Sequence, residues 1–431
     1  MPEPSPTTDP PSSLVEPSSS VVESPSSVVE PSSSVVERSR DPRRLVARLR
    51  PFAETIFAEM SALAVAHDAV NLGQGFPDTD GPAAMLAAAQ QAIADGRNQY
   101  PPGIGIPELR HAIGEQHARD YALHYDPDTE VLVTVGATEA VAGAVLGLVE
   151  PGREVIMIEP YYDSYAATVA LAGAVRRTVP LVSEGDGFRL DLDALRAAFG
   201  PNTAAILVNT PHNPTGTVLN DDELAEIARL CVEHDVVAIA DEVYEFLTFR
   251  GLRHRPLATF DGMRERTLRI SSAAKTFNVT GWKVGWVCGP PALVAAARGA
   301  KQYLTYVGSG PFQPAVALAL RTESDWVAAM ARDLERKQGV LSAALADAGF
   351  GVHRTDGTYF VLADPRPLGY DDGAAFCRAL PERIGVAAVP VSAFVDPPAS
   401  HGAGGWNHLV RFAFSKRDDV IAEAARRLST L

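Results

Sequence analysis

The sequence predicts an α/β protein in which helices wrap a mostly parallel sheet. Between residues 130 and 288, short apolar, β-favouring runs alternate with runs of helical length, the signature of strand–helix–strand units. With 431 residues, 46% of them hydrophobic, the chain can bury a large core and divide into one large and one smaller domain. Polar residues able to do chemistry, among them Asn209, Asn213, Asp241, Tyr244 and Lys275, fall just past the ends of expected strands. In a parallel α/β sheet that edge is where ligands bind.

The elements follow in order. Residues 1–43 differ from the rest: Val15-Glu16, Val22-Glu23, Val29-Glu30 and Val36-Glu37 recur every seven residues, but the spacers are proline and serine. Proline in the spacers forbids a continuous helix, so the repeat reads as a disordered tail and not a coiled coil. Over 44–66, Phe57, Met60, Leu63 and Ala64 keep helical spacing and predict a helical arm before the turn Gly73-Gln74-Gly75. A helix is expected over 83–95. The run NQYPPGIGIPEL over 98–109 contains half of a dinucleotide fingerprint, but no strand precedes it and Pro107 follows the second glycine, so it reads as a loop into a helix over 108–121.

A strand over 130–135, a turn at Gly136 and an alanine-rich helix over 137–149 make a strand–turn–helix corner. Its backbone N–H groups and the Thr138 hydroxyl suit a phosphate; equally, Thr138 could simply cap the helix. Strands are then expected over 154–158, 174–179, 204–209 and 236–240, with helices over 166–172, 192–199 and 221–233 between them. Strands over 267–270 and 284–288 flank SSAAKTFNVTGWK at 271–283, which puts Lys275 in a loop between two sheet strands.

Two residues define the expected chemistry. Lys275 has no carboxylate within six residues on either side, and a lysine shielded from water yields a free amine that attacks carbonyls. Asp241 ends an apolar run, where a carboxylate needs a partner; a buried structural aspartate or the counter-ion of a cationic ring nitrogen both answer that need. Together these parts describe a pyridoxal phosphate site, whose cofactor requires a lysine for its aldehyde, an anion for its pyridine nitrogen, donors for its phenolic oxygen, a stacking aromatic and a helix terminus with a cation for its phosphate.

Other classes are disfavoured. A net charge of −15 argues against nucleic acid or an anionic membrane as partner. Cys231, Cys288 and Cys377 are far apart, in neither metal-ligand nor redox spacing, as suits a reducing compartment. The N-terminus has no basic start or apolar stretch and no run reaches membrane-spanning length, so a cytoplasmic protein is expected.

Five motifs in register carry a family resemblance: NLGQGFPD at 71–78, NTPHNPTG at 209–216, DEVYE at 241–245, SSAAKTFNVTGWKVGW at 271–286 and LVRFAF at 409–414. Over about residues 44–431 the chain resembles the class I and II aminotransferases of pyridoxal phosphate fold type I. That resemblance implies a mostly parallel, seven-stranded-type sheet with helices on both faces, plus a smaller α+β domain. It divides the chain into an arm over 44–75, a large cofactor-binding domain over 76–310 and a small domain over 311–431. By the same resemblance Lys275 is the lysine that condenses with the cofactor aldehyde, and Asp241 the carboxylate on the pyridine nitrogen. Asn213 and Tyr244 are donors to the phenolic oxygen, and Tyr162 is the stacking ring. Ala137, Thr138, Ser272 and Lys283 hold the phosphate, joined by Tyr100 from a neighbouring subunit of a homodimer. Arg411 takes the α-carboxylate of the amino-acid or keto-acid substrate, with Gly75 letting the backbone approach it.

Within the family the likeness runs first to bacterial N-succinyldiaminopimelate aminotransferases and next to kynurenine and glutamine aminotransferases. Val307 stands where kynurenine-type enzymes tend to carry a histidine. A cysteine-conjugate β-lyase would share every cofactor residue, and a cofactor-sensing transcription regulator would need a basic DNA-binding module that the acidic leader does not supply.

Overall fold

The computed structural model describes residues 45–53, 55–396 and 405–431, so the expected disordered tail over 1–43 lies outside the described residues. Its strands, in chain order, are β1 (Val70–Asn71), β2 (Val131–Thr134), β3 (Glu154–Glu159), β4 (Val175–Glu184), β5 (Gly187–Leu190), β6 (Thr203–Asn209), β7 (Val237–Asp241), β8 (Thr267–Ser272), β9 (Gly285–Cys288), β10 (Gly351–Val352), β11 (Phe360–Asp364), β12 (Val386–Ala387), β13 (Val389–Pro390) and β14 (Val410–Ala413). β2, β8 and β9 are buried at every position, and β3 and β7 at every position after their first residue. Such runs are stable only where helices cover both faces of a sheet.

The main sheet has the order β2-β9-β8-β7-β6-β3-β4-β5. The α/β class is as expected, but the sheet is mixed and eight-stranded. β8, β7, β6, β3 and β4 run parallel, while β9 is antiparallel to both its neighbours and β5 is antiparallel to β4. Only 12 residues, 273–284, join β8 to β9, with a one-turn helix among them. A single helical turn is no crossover helix that could carry the chain over the sheet to return parallel, so the chain turns back antiparallel. β5 is a hairpin on β4, closed by the two residues Gly185 and Asp186 with Gly185 at φ +61°.

β2 lies antiparallel to β9 and therefore points the same way as β8. The carboxyl ends of β2, β3, β6, β7 and β8 thus share one edge, and Asn209 pairs in register with Asp241 there. The helices Gly136–Leu148, Asp163–Leu171, Leu192–Ala198 and Asp221–Glu233 lie between successive strands from β2 to β7; Asp221–Glu233, for example, starts with a capping box in which Asn220 accepts from the Glu223 N–H and Glu223 from the Asn220 N–H.

A second, antiparallel sheet has the order β10-β11-β14-β13, and β1 pairs parallel with β12. The single helical arm expected over 44–66 is two pieces. A 3-10 stretch, Ala47–Phe52, contains Pro51, and the helix Ile56–Ala66 starts afresh with Thr55 accepting from the Ala58 N–H. Proline cannot donate within a longer helix, so the chain breaks there.

A buried ion cluster ties β7 to β8. Arg269, on β8 and fully buried, donates through Nε to Glu242 and through Nη2 to Glu245, and its guanidinium lies 4.4 Å from the Tyr121 ring centroid. Glu242 also accepts from Leu257 N–H at 3.0 Å and contacts His254 Nε2 at 3.0 Å; Ser271 Oγ donates to Glu245 at 2.5 Å. Burial alone would raise the pKa of Glu242, but the charges of Arg269 and His254 outweigh it and bring it down to about 2. Arg269→Met should therefore destabilise the fold by about 3–5 kcal/mol in urea unfolding, because two dry carboxylates lose their cation. A depressed carboxyl pKa stabilises above its unfolded value and ceases to as pH falls through the folded one. The gap between wild type and variant should accordingly shrink as pH drops from 4.5 towards about 2.

Candidate active site

Lys275 lies not in an open loop but on the one-turn helix Ala273–Thr276, immediately past β8. Its Nζ donates to Tyr359 Oη at 2.7 Å, and Tyr359 Oη donates to the Gly75 carbonyl at 2.6 Å. Across the strand ends, Asp241 is buried at the end of β7. One of its carboxylate oxygens accepts from Tyr165 Oη at 2.5 Å and the other from the Val243 N–H at 3.4 Å. Asn209 fixes the backbone around it, donating to the Asp241 carbonyl at 2.9 Å and accepting from the Asn213 N–H at 2.8 Å. Burial raises the Asp241 pKa to about 6, against the lowering effects of Tyr165, the Val243 N–H and Lys275. No cation pairs directly with this carboxylate among the described residues.

The corner after β2 opens the 13-residue helix Gly136–Leu148. Gly136 has φ +73°, a conformation glycine adopts freely. Val135 holds the cap position, so Thr138 sits inside the first turn and does not cap the helix. A Cβ on Gly136 would lie 3.4 Å from Lys283 Nζ, so that ammonium stands beside the N–H groups of the helix start. A Cβ on Gly285 would meet the Gly136 carbonyl carbon at 2.6 Å, so β9 packs on the corner without room for a side chain. Positive dipole end and lysine together favour a doubly charged anion.

Arg411, on β14 between β11 and β13, is 1% exposed. Nη1 donates to Asn213 Oδ1 at 2.9 Å and Nη2 to the Gly73 carbonyl at 3.1 Å, while Nε has no partner among the described residues. The guanidinium lies over the Phe360 ring at 3.9 Å, with Phe394 at 4.9 Å and Phe57 at 5.3 Å. Burial brings its pKa down to about 10, partly offset by the tyrosines and Asp163 nearby. A dry guanidinium with an idle N–H and no ion pair among the described residues is built to receive a planar anion such as a carboxylate.

These groups line one cavity of about 370 Å³. Of the twelve residues named from the sequence, it brings together Gly75, Ala137, Thr138, Tyr162, Asn213, Asp241, Tyr244, Ser272, Lys275, Lys283 and Arg411. Tyr100 is not among its walls: it is 81% exposed, with the Tyr306 ring edge-on at 5.6 Å. Sequence reasoning missed Tyr165 and Tyr359. Tyr165 lies one helical turn beyond Tyr162 and so points to the same side, a signal that was readable. Tyr359 is 84 residues from Lys275 with no local pattern to join them.

Residues 67–428 match the family of class I and II aminotransferases. The chain belongs to it. Members of this family use pyridoxal phosphate to exchange amino groups between amino acids and keto acids. The chain is 64% identical over 389 residues to a probable N-succinyldiaminopimelate aminotransferase, DapC, of Mycobacterium tuberculosis, covering 90% of this chain and 98% of that protein. It is 37% identical over 385 residues to a methionine aminotransferase of Escherichia coli, with 89% and 98% covered. The solved structure of N-succinyldiaminopimelate aminotransferase from Mycobacterium tuberculosis superposes with a TM-score of 0.88 at 63% identity, over 90% of this chain and 99% of that one.

The raised Asp241 pKa has a measurable consequence in the cofactor-free protein. A carboxyl whose folded pKa is about 6 instead of 3.8 stabilises the fold below 3.8, and that contribution is lost as pH rises through 6. Without cofactor, Asp241→Asn should gain on wild type by about 2–3 kcal/mol between pH 4 and pH 7 in urea unfolding. An unchanged difference would mean that Asp241 is not held dry.

Proposed function

We propose that this aminotransferase binds pyridoxal phosphate in the cavity around Lys275 and moves the amino group of N-succinyl-L,L-diaminopimelate to 2-oxoglutarate, yielding glutamate. The observation that carries the chemistry is the convergence of Lys275, Asp241 and Arg411 on one cavity. The observation that carries the substrate is 64% identity along nearly the whole of a relative named for that activity.

The donor set suits the cofactor's charges. Asp241 would face the ring nitrogen, supplying the anion that a desolvated pyridinium needs. Asn213, whose Oδ1 is taken by Arg411, keeps its amide N–H groups for the phenolic oxygen, with Tyr244 as second donor. Ala137, Thr138, Ser272 and Lys283 would hold the phosphate, and Tyr162 would cover the ring. Bound there, the cofactor supplies an aldehyde carbon and an electron-withdrawing ring that makes the substrate's Cα proton acidic. Lys275 Nζ, released as a free amine, takes that proton and carries it within the cavity; Arg411 holds the α-carboxylate so that the Cα–H faces the amine. Gly75 keeps the wall beside Arg411 thin, since a Cβ there would strike the Phe360 ring at 2.6 Å.

Phe57, Gln74, Phe76, Ser164 and Thr280 would meet the substrate's far end, and among the described residues no cation besides Lys275, Lys283 and Arg411 lines the cavity. That supports a long, polar side chain over the tight charged slot an aspartate-specific enzyme needs. Tyr100 and Tyr306, 81 and 52% exposed with their rings 5.6 Å apart, make an apolar patch suited to a second copy of the chain, which would bring Tyr100 to the phosphate of its neighbour. With all three cysteines buried as free thiols, a cytoplasmic homodimer is the assembly we favour.

Two measurements test this. Lys275→Ala should lose the cofactor's visible imine absorbance together with transamination, while staying folded by circular dichroism; turnover near wild type would overturn the assignment. In steady-state kinetics with 2-oxoglutarate, kcat/KM should be higher for N-succinyl-L,L-diaminopimelate than for methionine, kynurenine or glutamine. A preference of about tenfold or more for any of those three, about 1.4 kcal/mol, would move the chain to the broad-specificity members of its family.

A further inference from the structure

Tyr359 is 1% exposed and lies outside the cavity walls, yet its hydroxyl is the hydrogen-bond partner of the Lys275 amine. The Gly75 carbonyl can only accept, so the phenol proton is committed to it at 2.6 Å and the phenol oxygen turns its lone pairs to Nζ at 2.7 Å. With that proton committed, Tyr359 does not act as an acid towards Lys275; its oxygen accepts, from Nζ and from the neighbouring Tyr244 hydroxyl. Its ring has little freedom, lying edge-on to Tyr244 at 5.2 Å and against Phe360 at 4.8 Å. Phe360, the next residue, carries the Arg411 guanidinium on its face at 3.9 Å.

We propose that Tyr359 is the positioning residue of the Lys275 amine, and that the Tyr359-Phe360 pair sets the distance between the proton carrier and the carboxylate site. A free amine on a four-carbon stem has one lone pair and two N–H bonds, and it rotates. Holding one N–H on Tyr359 Oη stops that rotation and leaves the lone pair to meet a carbonyl carbon or a Cα–H. The proton taken from the substrate is carried and given up again by Nζ, and none passes through the phenol. This inference rests on the reading of Lys275 as the reacting amine.

Tyr359→Phe keeps the ring and its packing and removes only the hydroxyl. In the cofactor-free variant, the rate at which added pyridoxal phosphate forms its visible imine should fall by about tenfold. In the loaded variant, single-turnover amino transfer should fall by about the same factor with little change in KM, and the isotope effect of α-deuterated donor should rise. Wild-type rates in both assays would overturn the proposal. A purely structural role is separated in the Lys275→Ala background with ethylamine supplied as a free base. There Tyr359→Phe should leave the ethylamine-driven rate unchanged, since an untethered amine needs no such hold. An equal slowing there would make Tyr359 a wall support and overturn the assignment. Failure of the wild type to form any imine would remove the role of Lys275 and this proposal with it, whereas a failure confined to Tyr359→Phe leaves Lys275 in place.

Discussion

The dry guanidinium of Arg269 is the constraint that holds the ends of β7 and β8, and with them Asp241 and Lys275, in place. It lies between Glu242 and Glu245, which follow Asp241, and on the strand that delivers Lys275. Side chains alternate along an extended chain, so neighbours look opposite ways. Asp241 turns into the cavity and Glu242 away from it to Arg269; Ser272 lines the cavity while Ser271 donates to Glu245. Of the ten residues of DEVYE and SSAAK, six line the cavity and four, Glu242, Glu245, Ser271 and Ala273, are scaffold. A buried ion cluster of this kind adds little net stability over an apolar core, because desolvation cancels most of the attraction. What it does provide is geometry: charge-assisted hydrogen bonds tolerate little displacement, and they lock the end of β7 to the end of β8.

On the cavity side the charges are left unmatched. Asp241 has no direct cation, Arg411 has an idle Nε and no ion pair, and Lys283 stands beside a helix start with no anion among the described residues. A protein that buries one negative and one positive group without pairing them, and sets a lysine beside a bare helix start, holds free energy for a ligand of the opposite pattern. A cationic ring bearing a phosphate and joined to an amino acid's carboxylate has that pattern. The aromatic rings around Arg411 keep its position dry and flat without neutralising it. Tyr359 extends the same logic to the amine, fixing Lys275 by a neutral acceptor and not by a counter-ion that would hold its proton.

The sequence by itself determined the α/β class and, β5 apart, the order of elements from Val131 to Cys288, because these rest on local information: β-favouring runs and helix-length runs. Of the cavity's walls, Asn209, Asn213, Asp241, Tyr244 and Lys275 stood out as residues just past strand ends, whereas Gly75, Tyr162, Ser272, Lys283 and Arg411 were named through the family resemblance that five motifs carry. It did not determine the direction of β9 or the β5 hairpin, which follow from how little chain lies between neighbouring strands. Nor could it reveal that Thr138 sits inside its helix, since the cap position depends on where β2 stops. Tyr165 was within reach of helical spacing. The Lys275–Tyr359–Gly75 chain was not: its members come from the segment after β8, the start of β11 and the turn after β1, separated by 84 and 284 residues. Only the tertiary structure decided that contact, because hydrogen bonds act over about 3 Å and nothing along the chain records which distant side chains the packing of two sheets will bring that close.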